Sequence, residues 1–362
     1  YNSTFPSKKI KYAVSSAYGF GSGTPVGEGW ISYDQYLTSK RLRKLKYKVN
    51  AKHYSFRNGG QLDLPIQYTR VSPEISLHFN HDALEHKYSK VYLQPIFLNE
   101  ERYEFEEEDV RVLNDNFIFL RLGYEHYDFY NLGPSTFKTQ LEYHPYQNVV
   151  GQNQQYLKLS SSFDKAFKFS SDQSFDVRLW ASYFLTNSQR YSANTDGQFV
   201  RGSSALIYQG FNDYAYDEYF FNRGNQGAAL ENQIGNRGGG FKSALGSQYN
   251  IGQTNDLAFA INVKSNLPVR LPRFLPLKLF LDIGYYTVGN STLRALEGQT
   301  IYSGGVMLDY GAGLVSVHLP LFNSKNISEL YDGEGVGTLG RISFRFDLVK
   351  FNPWDIIEDY SF

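Results

Sequence analysis

Histidine is the side chain in this sequence with the widest choice of chemistry, because an imidazole can act as a metal ligand or as a general base. The seven histidines are His53, His78, His81, His86, His126, His144 and His318. None belongs to a His-Glu-x-x-His arrangement, the zinc signature of many metallopeptidases. The one local cluster, HFNHDALEH, has a spacing typical of a polar turn. The histidine pattern therefore predicts no metal site.

The sequence signals for a hydrolytic site, a calcium site and a nucleotide site are equally weak. A hydrolytic Ser-His or Asp-His pair would have to use His144 or His318, but a histidine in a polar wall is more often a hydrogen-bonded structural residue. The acidic run EERYEFEEED lacks the Gly and alternating Asp/Asn of a calcium loop and indicates a solvated loop. The glycines of NRGGGF precede no predicted helix, which argues against a nucleotide site. We expect no catalytic residue and no cofactor in this chain.

Composition narrows the class of protein further. Basic and acidic side chains number 36 each, so the net charge is zero. The chain therefore lacks the excess of basic residues that is typical of nucleic-acid-binding proteins. Cysteine is absent, as suits an envelope or secreted protein without disulfides. No apolar run reaches the roughly 18 residues that a membrane-spanning helix needs. The aromatic content, 30 Tyr and 28 Phe, is high for such a chain and needs a separate explanation.

Asp282 is an acidic residue within a segment that is otherwise rich in apolar residues, so its environment needs an explanation. It stands within LPLKLFLDIGYYTV, and in an ordinary apolar core an unpaired carboxylate would cost several kcal/mol. Alternation places Leu279, Leu281 and Ile283 on one face of a strand and Asp282 on the other. The same two-sided pattern recurs in RISFRFDL, DLAFAINVKS, LKYKVNAKHY and FKTQLEYH. We count about fourteen such segments, each near the length that a tilted strand needs to cross a bilayer.

Alternating strands fit either a soluble sandwich with a dry core or a membrane barrel with an apolar exterior. Short connections such as FSSDQS and PVRLPRF alternate with long ones, and aromatic residues gather at strand ends, as in YEHYDFY. Both features are typical of an outer-membrane barrel. We predict an all-β fold, a closed antiparallel transmembrane β-barrel of about 14 strands within a range of 12–16, with short periplasmic turns and long external loops.

The alternation also predicts an approximate topology. The barrel covers residues 1–349, a long external or lumen-plugging loop covers 188–255, and a periplasmic tail covers 350–362. An even strand count puts both termini in the periplasm. Because the sequence begins at Tyr1 without a signal segment, we interpret it as a processed chain or as part of a longer one. The predicted strands are 8–20, 29–37, 43–56, 71–80, 90–99, 116–129, 136–146, 155–167, 175–186, 256–267, 276–287, 302–311, 314–322 and 340–349.

From about Ala215 to Trp354 the sequence resembles the C-terminal membrane barrel that is fused to aminopeptidase-N-like (gluzincin) metallopeptidases in some Gram-negative bacteria. The segments that carry the resemblance are FNDYAYDEYFFNRGNQG, GGGFKSALGSQYNIGQTNDLAFAINVKSNLP, LPLKLFLDIGYY, SVHLPLF and RISFRFDLVKFNPWDII. That barrel in turn resembles the barrel of the outer-membrane insertase and two-partner-secretion superfamily.

In that superfamily an Arg-Gly pair in a long loop precedes a strand with the pattern Phe-x-Asp-x-Gly. Arg223-Gly224 and Phe280, Asp282 and Gly284 match that order here. The resemblance implies that the loop enters the barrel and that the Arg223 guanidinium pairs with Asp282. The alternative partners are Lys278, on the same strand as Asp282, and Lys264, on the neighbouring strand.

Three classes of function remain open at this stage. The first is a non-catalytic membrane anchor or scaffold for a periplasmic domain or envelope complex in protein assembly, processing or secretion. The second is a porin or substrate transporter, and the third is a barrel-embedded hydrolase. The long loop favours the first class, because a loop of that length can fill or cover the lumen. The expected partners are the outer-membrane bilayer with its lipopolysaccharide and other envelope proteins.

Overall fold

The structure is a computed structural model. It describes residues 9–19, 24–57, 65–81, 86–106, 109–130, 132–149, 152–170, 173–191, 206–208, 213–218, 232–235, 237–245, 251–267, 275–290, 293–311, 313–333 and 335–347.

Strands account for most of the described chain. They are β1 (Ile10–Gly19), β2 (Thr24–Tyr36), β3 (Leu42–Arg57), β4 (Pro65–Phe79), β5 (Lys87–Glu106), β6 (Asp109–Asp128), β7 (Ser135–Val149), β8 (Gln152–Ser170), β9 (Gln173–Asn187), β10 (Leu206–Ile207), β11 (Gln253–Thr254), β12 (Leu257–Asn266), β13 (Leu277–Asn290), β14 (Ala295–Tyr310), β15 (Val315–Asn323) and β16 (Ser343–Phe346). One helix, α1 (Lys325–Gly333), and a 3-10 turn (Thr338–Arg341) lie between β15 and β16.

Fourteen strands form one antiparallel sheet, in which each strand pairs with its neighbours along the chain. The order runs from β1 to β9 and continues with β12 to β16, while β10 and β11 pair with each other in the long connection between β9 and β12. The predicted fold class, an antiparallel β-barrel of about 14 strands, is confirmed. An even number of antiparallel strands places the start of β1 and the end of β16 at the same end of the barrel.

The two ends of the barrel differ in their connections. The end that carries the connections 37–41, 80–86, 129–134, 171–172, 267–276 and 311–314 is named the turn end. The opposite end, the loop end, carries the connection 188–256 and the connection 324–342 that contains α1. The lumen can therefore be entered by long segments from the loop end.

The two faces of the sheet differ in chemistry. Strand β13 is typical: Leu279 and Ile283 face outward and are 46% and 38% exposed, whereas Asp282 faces inward and is fully buried. Large apolar side chains face outward all around the sheet, among them Ile31, Val49, Ile75, Leu93, Phe97, Leu122, Leu159, Leu179 and Tyr302. Charged and polar side chains occupy the inner face, among them Arg70, Arg121, Glu142, Lys158 and Ser303. An apolar exterior around a polar interior is the pattern of a membrane-spanning β-barrel. Among the described residues, no helix is long and apolar enough to cross a membrane.

Three prolines mark interruptions in the hydrogen-bonded ladder, because proline has no N–H to donate. Pro73 lies where the pairing between β4 and β5 is interrupted, between Val71 and Ile75. Pro320 lies at the irregularity between β14 and β15, opposite Gly305. Pro95 is accommodated within the β5–β6 ladder, opposite Leu120.

One local prediction is wrong, and one element was missed. The acidic run around residues 99–115, expected as a solvated loop, belongs to a long hairpin, because β5 and β6 continue to Glu106 and Asp109 with 20 residues each. The Tyr, Phe and Val residues that alternate with its acids suit a strand, and cross-strand pairing outweighs the charge. The sequence pattern also missed α1, in which Ile327 and Tyr331 are buried among residues distant in sequence.

Candidate functional site

Asp282 is held at the inner wall by a residue of the long connection between β9 and β12. Its Oδ2 accepts the backbone N–H of Lys242 at 2.8 Å, and its Oδ1 accepts the ammonium group of the same residue at 2.7 Å. The Asn262 amide on β12 also donates to Oδ1, at 3.0 Å. Since both carboxylate oxygens contact Lys242, one strand residue fixes both the backbone and the side chain of the loop. This contact explains how the strand tolerates a buried carboxylate.

Phe280 and Gly284, on either side of Asp282, also contact the loop. The Lys242 ammonium lies 5.4 Å from the centre of the Phe280 ring, within the range of a cation–π interaction. A Cβ atom on Gly284 would lie 2.5 Å from Cε1 of Tyr208, which is too close for any side chain. The Phe-x-Asp-x-Gly pattern is thus a docking surface in which an aromatic face, a carboxylate and an open space each receive a different part of the loop.

Tyr208 fills the space that Gly284 leaves. Its hydroxyl oxygen lies 2.8 Å from the Phe259 carbonyl and 2.6 Å from the Tyr285 carbonyl, so its one proton bridges β12 and β13. Its ring packs edge-on against Phe241 of the loop and Trp180 of β9, at centre distances of 4.8 and 5.9 Å. Its main chain, directly after β10, is hydrogen-bonded to the segment that carries Lys242: Phe241 N donates to the Tyr208 carbonyl at 3.1 Å.

Replacing Gly284 by alanine is expected to displace Tyr208 and so loosen the loop, because the new methyl group would overlap the tyrosine ring. We expect a loss of about 1–3 kcal/mol in unfolding free energy and faster cleavage of the loop by added protease. Gly333→Ala is the matched control, since a Cβ there meets nothing within 4 Å. Equal protease sensitivity in both variants would contradict the role given to Gly284.

A second anchor lies on the opposite side of the lumen. Asp217 of the loop accepts hydrogen bonds from Arg70 on β4 at 2.7 Å, from Arg121 on β6 at 2.8 Å and from Arg237 of the loop at 2.7 Å. The turn that presents it is closed by Asp213, whose carboxylate accepts the N–H of Asp217 at 2.8 Å. One buried carboxylate thus joins two wall strands and two parts of the loop.

Glu142 on β7 extends this anchor and is fully buried. It accepts from Arg121 Nε at 2.7 Å and from the Tyr156 hydroxyl at 2.8 Å, and it lies 3.0 Å from the Lys158 ammonium. The loop residue Tyr214 donates its hydroxyl to the same carboxylate. Because Arg121 bridges Glu142 and Asp217, four wall strands and the loop share one charge network.

The loop also covers the edge of the last strand. Ile234 N donates to the Phe344 carbonyl at 2.9 Å, and Phe344 N donates to the Asn232 carbonyl at 3.1 Å. Gln233 forms a parallel bridge with Phe344. These bonds lie on the side of β16 that faces away from β15, so the loop satisfies an edge that would otherwise be open to another strand.

The residues predicted from the sequence are only partly brought together. Phe280, Asp282 and Gly284 form one surface that contacts the loop. Arg223 and Gly224 lie outside the described residues. The alternative partners of Asp282 contact other carboxylates. Lys278 lies 2.7 Å from Asp309, and Lys264 lies 3.4 Å from Asp176 and 3.7 Å from Asp309. Lys278 is four residues from Asp282 along an extended strand, which is about 13 Å and too far for direct contact.

Sequence reasoning missed Lys242 and Asp217. Lys242 stands in GGGFKSAL, where the glycines give no indication of which residue will reach a carboxylate 40 positions away. Asp217 stands in NDYAYDEY, and the only local signal is the Asp213 side chain that closes the turn. His144 and His318 are structural in their contacts: one Nδ1 lies 2.8 Å from the Ile118 carbonyl and the other 3.1 Å from the Ser343 hydroxyl. Within the described part of the chain, no group of three or more His, Asp or Glu side chains could hold a metal ion.

The fold and the site together define a membrane-spanning β-barrel whose lumen holds a folded loop. A scan against protein-family models and a search of curated proteins gave no match. Among solved structures, the fold is similar to BamA from Haemophilus ducreyi lacking POTRA domains 1–3, with a TM-score of 0.42 and 11% identity over 86% of this chain and 67% of that one. It is also similar to CdiB from Acinetobacter baumannii, with a TM-score of 0.39 and 10% identity over 88% and 51% of the two chains. For CdiB from Escherichia coli the TM-score is 0.37, with 11% identity over 89% and 60%. This chain spans about half of one CdiB and 60% of the other.

Proposed function

We propose that this chain is an outer-membrane barrel that anchors or scaffolds envelope machinery for protein assembly, processing or secretion. The observation that carries the proposal is the folded lumen loop, which is bonded to the wall at Asp282, at Asp217 and at the edge of β16. A conducting pore needs a continuous aqueous path, and a loop anchored on opposite walls obstructs it. A lumen built to retain a loop suits a scaffold better than a porin.

The finer parts of the proposal concern orientation and partners. Both termini would face the periplasm, because the turn end carries the short connections that outer-membrane barrels place there. An N-terminal periplasmic partner, such as the fused metallopeptidase that the sequence resemblance implies, would then continue from the start of β1. We also retain the pairing of Arg223 with Asp282 as a proposal. In that arrangement the guanidinium would join Lys242 at a carboxylate that already accepts three hydrogen bonds.

Purified protein in planar bilayers is expected to show little steady current. Replacing residues 192–252 by a short Gly-Ser linker removes Asp217, Lys242 and Tyr208 and should raise the conductance by roughly tenfold or more, because the lumen would then hold water. The folded state of both forms is checked by the change in gel mobility on boiling, which reports a closed barrel that resists detergent. Large stable channels from the intact chain would contradict the scaffold and support a porin.

A designed disulfide provides the matched control, since the chain has no cysteine of its own. Ser243 of the loop and Ser303 of β14 are both buried, and their hydroxyls are hydrogen-bonded to each other. Cysteines at both positions should form a bond that locks the loop in place. The oxidised variant should keep the low conductance of the unmodified chain. A rise in current on oxidation would show that the loop does not block the lumen from this position.

A further inference from the structure

The contact between the lumen loop and β13 brings an amine, a carboxylate and a side-chain amide together. The Lys242 ammonium and the Asn262 amide both donate to Oδ1 of Asp282, at 2.7 and 3.0 Å. Because one oxygen atom holds both nitrogen atoms, the lysine side chain lies next to the asparagine side chain. A carboxylate that contacts an amine and an amide is placed to take a proton from the first and give it to the second.

The orientation of the Asn262 amide is fixed by its two partners. Its Nδ2 faces Asp282, and its Oδ1 accepts Nη1 of Arg178 on β9 at 3.2 Å. The same guanidinium donates through Nη2 to the Gly238 carbonyl at 2.9 Å, which holds it against the loop. A cation on the amide oxygen makes the carbonyl carbon more electrophilic and stabilises the negative charge that an attack on that carbon creates.

The three reacting groups are shielded from water, since Lys242, Asn262 and Asp282 are all buried. Burial lowers the pKa of the Lys242 ammonium, although the Asp282 carboxylate acts in the opposite direction. The neutral amine is the nucleophilic form of a lysine, so burial favours the reactive state. A buried site also keeps water from competing with the amine for the amide carbon.

We propose that Lys242 and Asn262 become joined by an isopeptide bond, which ties the lumen loop covalently to β12. The ion pair between Lys242 and Asp282 is the state that precedes the bond. Asp282 accepts a proton from the ammonium, and the lone pair of Nζ then forms a bond to Cγ of Asn262. The electron pair of the C=O bond moves to Oδ1, where the Arg178 guanidinium stabilises it.

The second half of the reaction releases the asparagine nitrogen. Asp282 gives its proton to Nδ2, the bond between Cγ and Nδ2 breaks with its electron pair on the nitrogen, and the C=O bond forms again. Asp282 then takes the second proton from Nζ and passes it to the departing ammonia. The products are one side-chain amide and one ammonium ion. Asp282 is unchanged, and the reaction consumes no oxidant and no co-reactant.

Peptide mass spectrometry of the full chain, purified in detergent and then denatured, tests the bond. Trypsin should not cut after Lys242, so digestion should give residues 238–264 as one peptide that is lighter by one ammonia, in place of residues 243–264. A further cut by chymotrypsin after Tyr249 should leave two pieces that stay joined, because the bond connects them. The change in gel mobility on boiling confirms that the sample was a folded barrel before digestion.

Three variants separate the roles of the groups. K242R keeps a cation opposite Asp282 but has no amine, N262A removes the amide, and D282N keeps the shape of the carboxylate but removes the base. None should contain a bond between positions 242 and 262. R178Q should slow the formation of the bond about a hundredfold, because it removes a donor to the oxygen on which charge develops. The rate is followed by refolding chain that was produced in inclusion bodies and sampling it over time.

The ion pair between Lys278 and Asp309 is an internal control in the same sample. It has the same length of 2.7 Å, but among the described residues the Asp309 carboxylate contacts two lysines and no amide. Trypsin should therefore cut after Lys278. Cleavage after Lys242 in the folded unmodified chain, loss of water through a bond to Asp282, or a bond to Asn262 in D282N would overturn the proposal. None of these results bears on the conductance test, so the isopeptide bond and the scaffold function fail separately.

Discussion

Replacing Asp282 by alanine is expected to release the lumen loop from β13 and to cost about 3 kcal/mol of unfolding free energy. The Lys242 ammonium would remain buried without its carboxylate, and the Lys242 N–H would lose its acceptor. Limited proteolysis of the folded barrel should then cut the loop, which stays protected in the unmodified chain. Urea unfolding followed by gel mobility gives the change in free energy.

A double-mutant cycle separates the pair from its surroundings. Lys242→Met keeps the length of the side chain and removes its charge, so the double variant Asp282→Ala, Lys242→Met should be less unstable than the sum of the two single variants. Strict additivity would mean that Lys242 is not the cation that matters. The same cycle with Arg223→Met tests the proposed arginine contact, because coupling between Arg223 and Asp282 would show up as a second non-additive term. The disulfide formed by S243C/S303C should restore protease protection to Asp282→Ala in the oxidised form only.

Replacing Asp217 by asparagine is expected to have a comparable or larger effect, about 3–5 kcal/mol, because three guanidiniums would lose their shared anion. The loop should detach from β4 and β6 and become accessible to protease. Asp332→Asn is the control: that aspartate forms a 3.5 Å pair with Arg341 and its side chain is 75% exposed, so its loss should change stability by less than about 1 kcal/mol. Similar losses in the two variants would remove the special role of Asp217.

Acid should reproduce the effect of this substitution. Burial alone would raise the pKa of Asp217, but the guanidiniums of Arg121, Arg237 and Arg70 outweigh it and hold the pKa well below its usual range. A carboxyl with a lowered folded pKa stabilises the protein fully above its unfolded pKa of about 3.9, and the contribution is lost as the pH falls further. Loop protection in the unmodified chain should hold from pH 7 to about pH 5 and weaken below about pH 4. Asp217→Asn should lack this step.

The two anchors of the connection between β9 and β12 differ in kind. At β13 the loop is fixed by the ion pair of Lys242 with Asp282 and by packing, because Lys242 lies against the Phe280 ring and Tyr208 fills the space beside Gly284. At β4 to β8 a network of carboxylates and cations fixes it by charge. A fall in pH should therefore loosen the second anchor more than the first, because the second depends on several ionised groups whereas packing adds to the single ion pair of the first.

The strands and their faces could be predicted from the sequence because they depend on a local period. Side chains alternate along any strand, so the parity that puts Leu279 outward puts Asp282 inward whatever the partner strand is. The same rule gave fourteen strands at nearly the observed positions. It failed for the acidic hairpin of β5 and β6. There the choice between strand and loop depends on pairing with a neighbouring strand, and the local sequence does not contain that contact. It failed for α1 for a similar reason, since Ile327 and Tyr331 are buried against residues far along the chain.

The sequence also determined that Asp282 must meet a polar lumen, and the resemblance to a secretion barrel pointed to Phe280 and Gly284 beside it. Which group would meet the carboxylate was decided only by the tertiary structure. A loop of almost seventy residues has many ways to return to the wall, and nothing in GGGFKSAL distinguishes Lys242 from the other cations until β10, β11 and Tyr208 fix the path of the chain. The Asp217 anchor depends in the same way on Arg70 and Arg121, which lie on two separate strands. Alternation is local and can be read from neighbouring residues, whereas a contact across a lumen depends on the closure of the whole sheet.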